Sequence, residues 1–289
     1  MSAATIAALA LALGSSVLLN LAYSREHDAA KRLPKLTLRD PVRSVRLLLD
    51  DRAWMRGFAL EASGFALYAA ALSLGSLALV QSVSAGGIGV LVWASGRAAR
   101  RPIAGREAAG VALSFLGLLL LGISLTRASG EGAGGQAPTI ALWLGATAAV
   151  AAVFLHVAPR LGLTGATARG LAGGLMFSIG DISTKVLTGG GVRLLFGFSA
   201  VAGYLAGTAL LQSGYQAPGG NVVRVAGLAT LATNALPIAA GTLLLEEPFP
   251  SGVFGALRAA AFLAVVLGAF LLAQEERPQT PSGLDTPPP

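Results

Sequence analysis

About nine stretches of roughly twenty mostly apolar residues follow one another along this chain, and that is the length a helix needs to cross a bilayer. They fall at 2–23, 54–74, 76–96, 105–126, 138–158, 167–188, 193–213, 221–244 and 251–273. Hydrocarbon offers no partner to a backbone N–H or C=O, so stretches of this kind must be helical throughout. Only 12% of the 289 residues are charged, about half the usual share of a soluble domain. The expectation is an all-α polytopic membrane protein, with one membrane domain over residues 1–273 and a charged, proline-rich, disordered tail over 274–289.

Charge fixes the expected orientation. Of 21 basic residues, eight lie between Arg25 and Arg52, directly after the first apolar stretch. A net charge of +7 would also suit nucleic acid, but basic residues beside a membrane helix are better explained by retention on the cytoplasmic side. Nine helices with the N-terminus outside put the loops at 24–53, 97–104 and 159–166 inside, together with the tail; Arg97, Arg100, Arg101 and Arg160 then fall inside as well. The first stretch has no basic residue ahead of it and a basic loop behind it, the reverse of a signal peptide, so it reads as a retained helix. Within the basic 24–53 loop, Leu36 to Leu49 mixes Leu and Val with Arg39, Arg43 and Arg46. A short amphipathic helix on the inner leaflet and a plain basic linker both fit. The chain is thus placed as a multi-pass protein of the plasma (inner) membrane, with the bilayer as a partner and no nucleic acid; a homodimer is left open.

Segments 57–126 and 197–273 share a layout: a Gly-Phe near a helix start, a break, a second helix, a charged turn with proline, and a third helix bearing glycine. The turns read Arg100-Arg101-Pro102 and Glu246-Glu247-Pro248. An odd number of helices separates equivalent positions, so the weak repeat is inverted, a common basis for alternating access. Two unrelated helix hairpins would look the same.

Ionisable groups at membrane depth are costly and mark pathways by default. Gly174, Ser178, Asp181 and Lys185 share one face of a helix, and Asp181 and Lys185 stand four apart, where they can pair. Such a pair serves either a pathway or bundle packing. A second polar stripe runs through Gly227, Thr230, Asn234, Pro237 and Gly241, and Pro237 frees the carbonyl of Thr233. By helical rise, Asp181 and Asn234 lie at the same depth, roughly 18 Å above the inner ends of their helices. Glu61 shares its face with Gly64 and Tyr68, and its nearest basic neighbour, Arg56, is poorly aligned with it. An acid in that setting is a candidate proton carrier. The candidate pathway is therefore Asp181, Lys185, Thr230, Asn234, Glu61 and Tyr68.

Cys is absent, His27 and His156 have no ligand-like spacing, and no phosphate-binding glycine loop precedes a Lys-Ser or Lys-Thr. No cofactor, resident metal or enzymatic activity is expected. The run Trp54-x-x-Gly57, Gly64-Phe65, Tyr68, Ala71-Leu72 and Leu79-Val80-Gln81 resembles the second and third helices of NIPA-type proteins, members of the drug/metabolite transporter superfamily alongside EamA-like transporters. Ala209-Leu210-Leu211-Gln212, Thr233-Asn234-Ala235-Leu236-Pro237-Ile238 and Glu246-Glu247-Pro248 are similar to the superfamily's final helices, and Gly180 and Lys185 match a glycine and a lysine of the NIPA-type sixth helix. The resemblance spans 54–273 and implies a bundle of inverted repeats that works as a secondary transporter of a small metabolite or cation. Magnesium, the ion linked to NIPA-type proteins, is one alternative; a non-transporting scaffold or accessory subunit is another.

Overall fold

The computed structural model describes residues 3–36, 40–84, 105–125, 135–246 and 251–273, and among these there are helices and turns but no strand. The helices are α1 (Ala3–Ala30), α2 (Pro41–Asp50), α3 (Arg52–Leu74), α4 (Leu77–Ser84), α5 (Gly105–Leu125), α6 (Ala137–Val157), α7 (Gly165–Leu187), α8 (Phe196–Tyr215), α9 (Val222–Leu243) and α10 (Val253–Ala273). Each apolar stretch of the sequence contains or overlaps one of these, the 76–96 stretch being described only as far as Ser84. The additional helix, α2, covers the second part of the Leu36 to Leu49 run and ends one residue past it. Among the described residues, five helices are long and apolar enough to cross a membrane by length and composition: α1, α3, α6 with the turn after it, α8 with the turn before it, and α9. Arg39, Arg97, the Arg100-Arg101-Pro102 turn, Glu247-Pro248 and the tail from 274 lie outside the described residues.

Local chemistry sets where the helices begin. Asp40 and Asp51 accept hydrogen bonds from the Arg43 and Trp54 amides at 3.1 and 2.7 Å, capping α2 and α3. Thr164 and Asn221 do the same for α7 and α9 through the Thr167 and Arg224 amides. Pro41 enters the first turn of α2, where its missing N–H costs nothing.

The first helix runs to Ala30 and not to 23. Hydropathy falls at Ser24, Glu26 and His27, but all three are buried against neighbouring helices. Their polar groups meet protein, so the helix continues where an apolar count stops.

α7 and α9 form the spine. α9 is buried over most of its length, whereas α1, α3, α6 and α8 turn much of their apolar surface outward. Small residues let the spine close. A Cβ on Gly170 would stand 2.7 Å from the Val225 carbonyl oxygen of α9, and one on Gly203 would stand 2.7 Å from the Gly180 nitrogen of α7. Close helix approach through glycine replaces the hydrophobic effect where the solvent is lipid. Around this spine α1 packs on α3, α5 on α10, and α6 on α7.

Candidate functional site

Asp181 sits well inside α7, 6% exposed, and four other helices reach it. The Tyr204 hydroxyl of α8 donates to Oδ1 at 2.8 Å. The Thr233 hydroxyl of α9 and the Gln81 amide of α4 donate to Oδ2 at 2.7 and 2.9 Å. The Tyr68 hydroxyl of α3 completes the set, and it accepts from Gln81 Nε2 at 2.6 Å. A carboxylate has about four acceptor positions, so this one is fully occupied. Charge-assisted bonds of this kind offset the cost of burying the ion.

Lys185 is not part of that set, which corrects the expected Asp181–Lys185 pair. Its Nζ donates to the backbone carbonyls of Leu72 and Gly75, at 3.0 and 2.9 Å. Those are carbonyls released at the C-terminal end of α3, where a cation is favoured by both hydrogen bonding and the helix dipole. Lys185 therefore ties α7 to α3 and does not line the cavity.

A second carboxyl centre lies toward the other end of α3. Glu26 of α1 is fully buried, and its Oε2 accepts from Gln212 Nε2 of α8 at 2.5 Å. Its carboxyl and that of Glu61 are within hydrogen-bonding reach of each other. Glu26 Oε1, Glu61 Oε2 and Gln212 Oε1 are buried atoms with no hydrogen-bond partner. Room for Glu26 comes from Gly57, where a Cβ would stand 2.7 Å from the Glu26 Cγ.

Asp181 and, from the second centre, Glu61 and Gln212 line one cavity of about 490 Å³, while Glu26 is buried outside its lining. Asp181, Glu61, Tyr68, Thr230 and Asn234 all line it, so five of the six expected residues come together and Lys185 does not. Thr230 Oγ1, Asn234 Oδ1 and Asn20 Oδ1 are without partners there. Asn234 uses its amide donor on the Thr230 carbonyl at 2.6 Å, and the residue beside it, Thr233, makes the contact to Asp181. Sequence reasoning missed Glu26, Gln81, Tyr204, Gln212 and Thr233. Arg258 is buried on α10 and donates to the Thr242 hydroxyl at 3.1 Å, away from the cavity.

Among the described residues no three His, Cys, Asp or Glu side chains gather as a metal site would require. The chain matches no protein-family model, none of the curated proteins and none of the solved structures.

Proposed function

We propose that this chain is a secondary membrane transporter of a small metabolite or cation, working by alternating access. The observation that carries the reading is a cavity between apolar helices with two separate carboxyl centres and several polar atoms that have no partner within the chain. Unsatisfied acceptors at membrane depth are costly, and a ligand that supplies donors or positive charge removes that cost. The resemblance to the drug/metabolite transporter superfamily points the same way, and the loose repeat between 57–126 and 197–273 suits it. The magnesium alternative draws no support from the described residues, because that ion needs several oxygen ligands or a hydrated path rich in acids.

The topology that belongs to this reading is nine crossings in the plasma membrane, with the N-terminus outside and the C-terminus in the cytoplasm. A chain without native cysteine suits labelling. An introduced cysteine at Arg100 should stay protected from an impermeant reagent added outside, and one at Glu246 should react; the reverse pattern overturns the orientation. For the activity, the full chain reconstituted in vesicles should accumulate substrate under a pH gradient, and Glu61→Gln should abolish that accumulation.

A second reading has one observation in its favour. Asp181 is saturated by donors and serves packing as it stands, which suits a non-transporting scaffold. If a broad panel of metabolites, amines and ions fails to shift the thermal stability of the purified chain, the scaffold gains and the transporter falls.

A further inference from the structure

The cavity has a side as well as an interior. Phe58 on α3, Val201 and Leu205 on α8, and Val45 and Leu49 on α2 all line it. Each of the five is also between 38% and 67% exposed. A side chain that both lines a cavity and faces outward stands at its mouth. A carbon-rich rim of this size marks an interaction surface, and between apolar helices that surface is acyl chain.

α3 and α8 frame the rim and meet chiefly through the rings of Phe65 and Tyr204, whose centroids are 4.8 Å apart. Among the described residues nothing fills the slot on the Phe58 side of that contact. α2 borders it. Val42, Val45 and Leu49 run along one outward face of α2 beside exposed Arg43 and Arg46, the pattern of a helix lying in a headgroup layer.

The inner wall of the slot is chemically different from its rim. Glu61 Oε2 and Asn20 Oδ1 lack donors there. Among the described residues, no Lys or Arg faces Glu61 or Glu26. Acceptors with nothing to accept call for a positively charged head, while the rim calls for carbon.

We propose that the slot between α3 and α8 is a lateral door from the lipid, and that its occupant is an amphiphilic cation. The chain of that molecule lies along Phe58, Val201 and Leu205, and its charged head stops at Glu61. This rests on the transport reading and names the substrate class and the route for the same cavity. Asp181, with every acceptor position filled, organises the floor and does not hold the head.

The test uses the full chain in phosphatidylcholine nanodiscs and decyltrimethylammonium as the probe. Trp54 reports binding, since it lines the cavity and stacks on Phe58 with ring centroids 5.2 Å apart. Tetramethylammonium supplies the head alone, and decyl sulfate supplies the chain with the opposite charge. Saturable binding of decyltrimethylammonium is expected, with tetramethylammonium weaker by at least about a hundredfold because it does not concentrate in the bilayer. Glu61→Gln should weaken binding about thirtyfold, as loss of a buried charge partner does. Leu205→Trp should slow association about tenfold by filling the mouth; if that variant does not fold, Val201→Trp reads the same step. Equal binding of decyl sulfate, or full affinity in Glu61→Gln, overturns the site. Unchanged association in the tryptophan variants overturns the door. Glu61-dependent uptake of some other solute without decyltrimethylammonium binding keeps the transporter and overturns this inference. Saturable binding with no movement across a vesicle keeps the door and overturns transport.

Discussion

The Tyr204 hydroxyl reaches the Asp181 carboxylate at 2.8 Å across the α7–α8 seam, and it does so over a residue that has no side chain. A Cβ on Gly180 would stand 2.8 Å from the Tyr204 ring. Gly180→Ala should therefore lift the ring and break the bond, destabilising the protein by about 1–3 kcal/mol as overpacking does. Tyr204→Phe should lose about 1.5–3 kcal/mol, the worth of a hydrogen bond to a charged group. Gly197, on the same helix as Tyr204, has open space where a Cβ would stand, with nothing within 4 Å, so Gly197→Ala should be neutral or mildly stabilising. Thermal unfolding of the three variants in detergent checks the ranking.

Lys185 and Asp181 are one helical turn apart yet serve different partners. Lys185→Met leaves the Leu72 and Gly75 carbonyls unanswered and should cost about 1–3 kcal/mol. Because the two residues share no hydrogen-bond partner, a double-mutant cycle with Asp181→Asn should show coupling below about 0.5 kcal/mol. A coupling of several kcal/mol would restore the ion pair.

How far the sequence spoke is clearest at these residues. Apolar length located the helices, because hydrocarbon imposes one secondary structure on any segment that enters it. Helical spacing also placed Asp181, Glu61, Tyr68, Thr230 and Asn234 on faces that do converge. What spacing could not tell was which neighbour each polar atom would meet. Asp181 and Lys185 look like a pair only while α7 is considered alone; in the bundle, α3 offers Lys185 two free carbonyls and four helices offer Asp181 donors. Glu26 escaped notice for a related reason. It belongs to a run with Arg25, His27 and Asp28 that reads as a solvated loop, and only the fold shows Gly57 and Gln212 making a place for it.

The Glu26–Glu61 pair should behave as a unit. A cycle of Glu26→Gln and Glu61→Gln should give a coupling of about 0.5–3 kcal/mol, well beyond additivity. The titratable groups that face the pair are Tyr23 on α1 and Tyr215 on α8, with the His27 ring edge-on against Tyr215. None of them carries a positive charge while His27 is neutral, so a cation and a proton compete for the same two carboxyls. Binding of an organic cation should release protons and weaken as the pH falls, measured by calorimetry in buffers of different ionisation enthalpy.

Gln216 holds the start of the basic loop. Its amide donates to the carbonyls of Ala30, Leu33 and Pro34 at 2.7, 3.2 and 3.2 Å, and its oxygen accepts from the Leu36 amide at 2.7 Å. Lys31, Arg32 and Lys35 are exposed along that stretch. Gln216→Ala should release it, and limited trypsin digestion should cut there about tenfold faster while cleavage elsewhere is unchanged.

The length of α1 has a consequence for where this protein can work. Its 28 residues rise about 42 Å, against a hydrocarbon thickness of about 30 Å. A straight helix with that mismatch must tilt or project from the membrane, and Glu26 is fixed near its far end. In a thick, sterol-like bilayer the glutamate is drawn under the acyl chains; in a thin one it rises toward the headgroups. If α1 crosses the bilayer as proposed, the depth of the carboxyl pair, and with it the ease of exchanging protons with water, follows the host membrane as well as the fold.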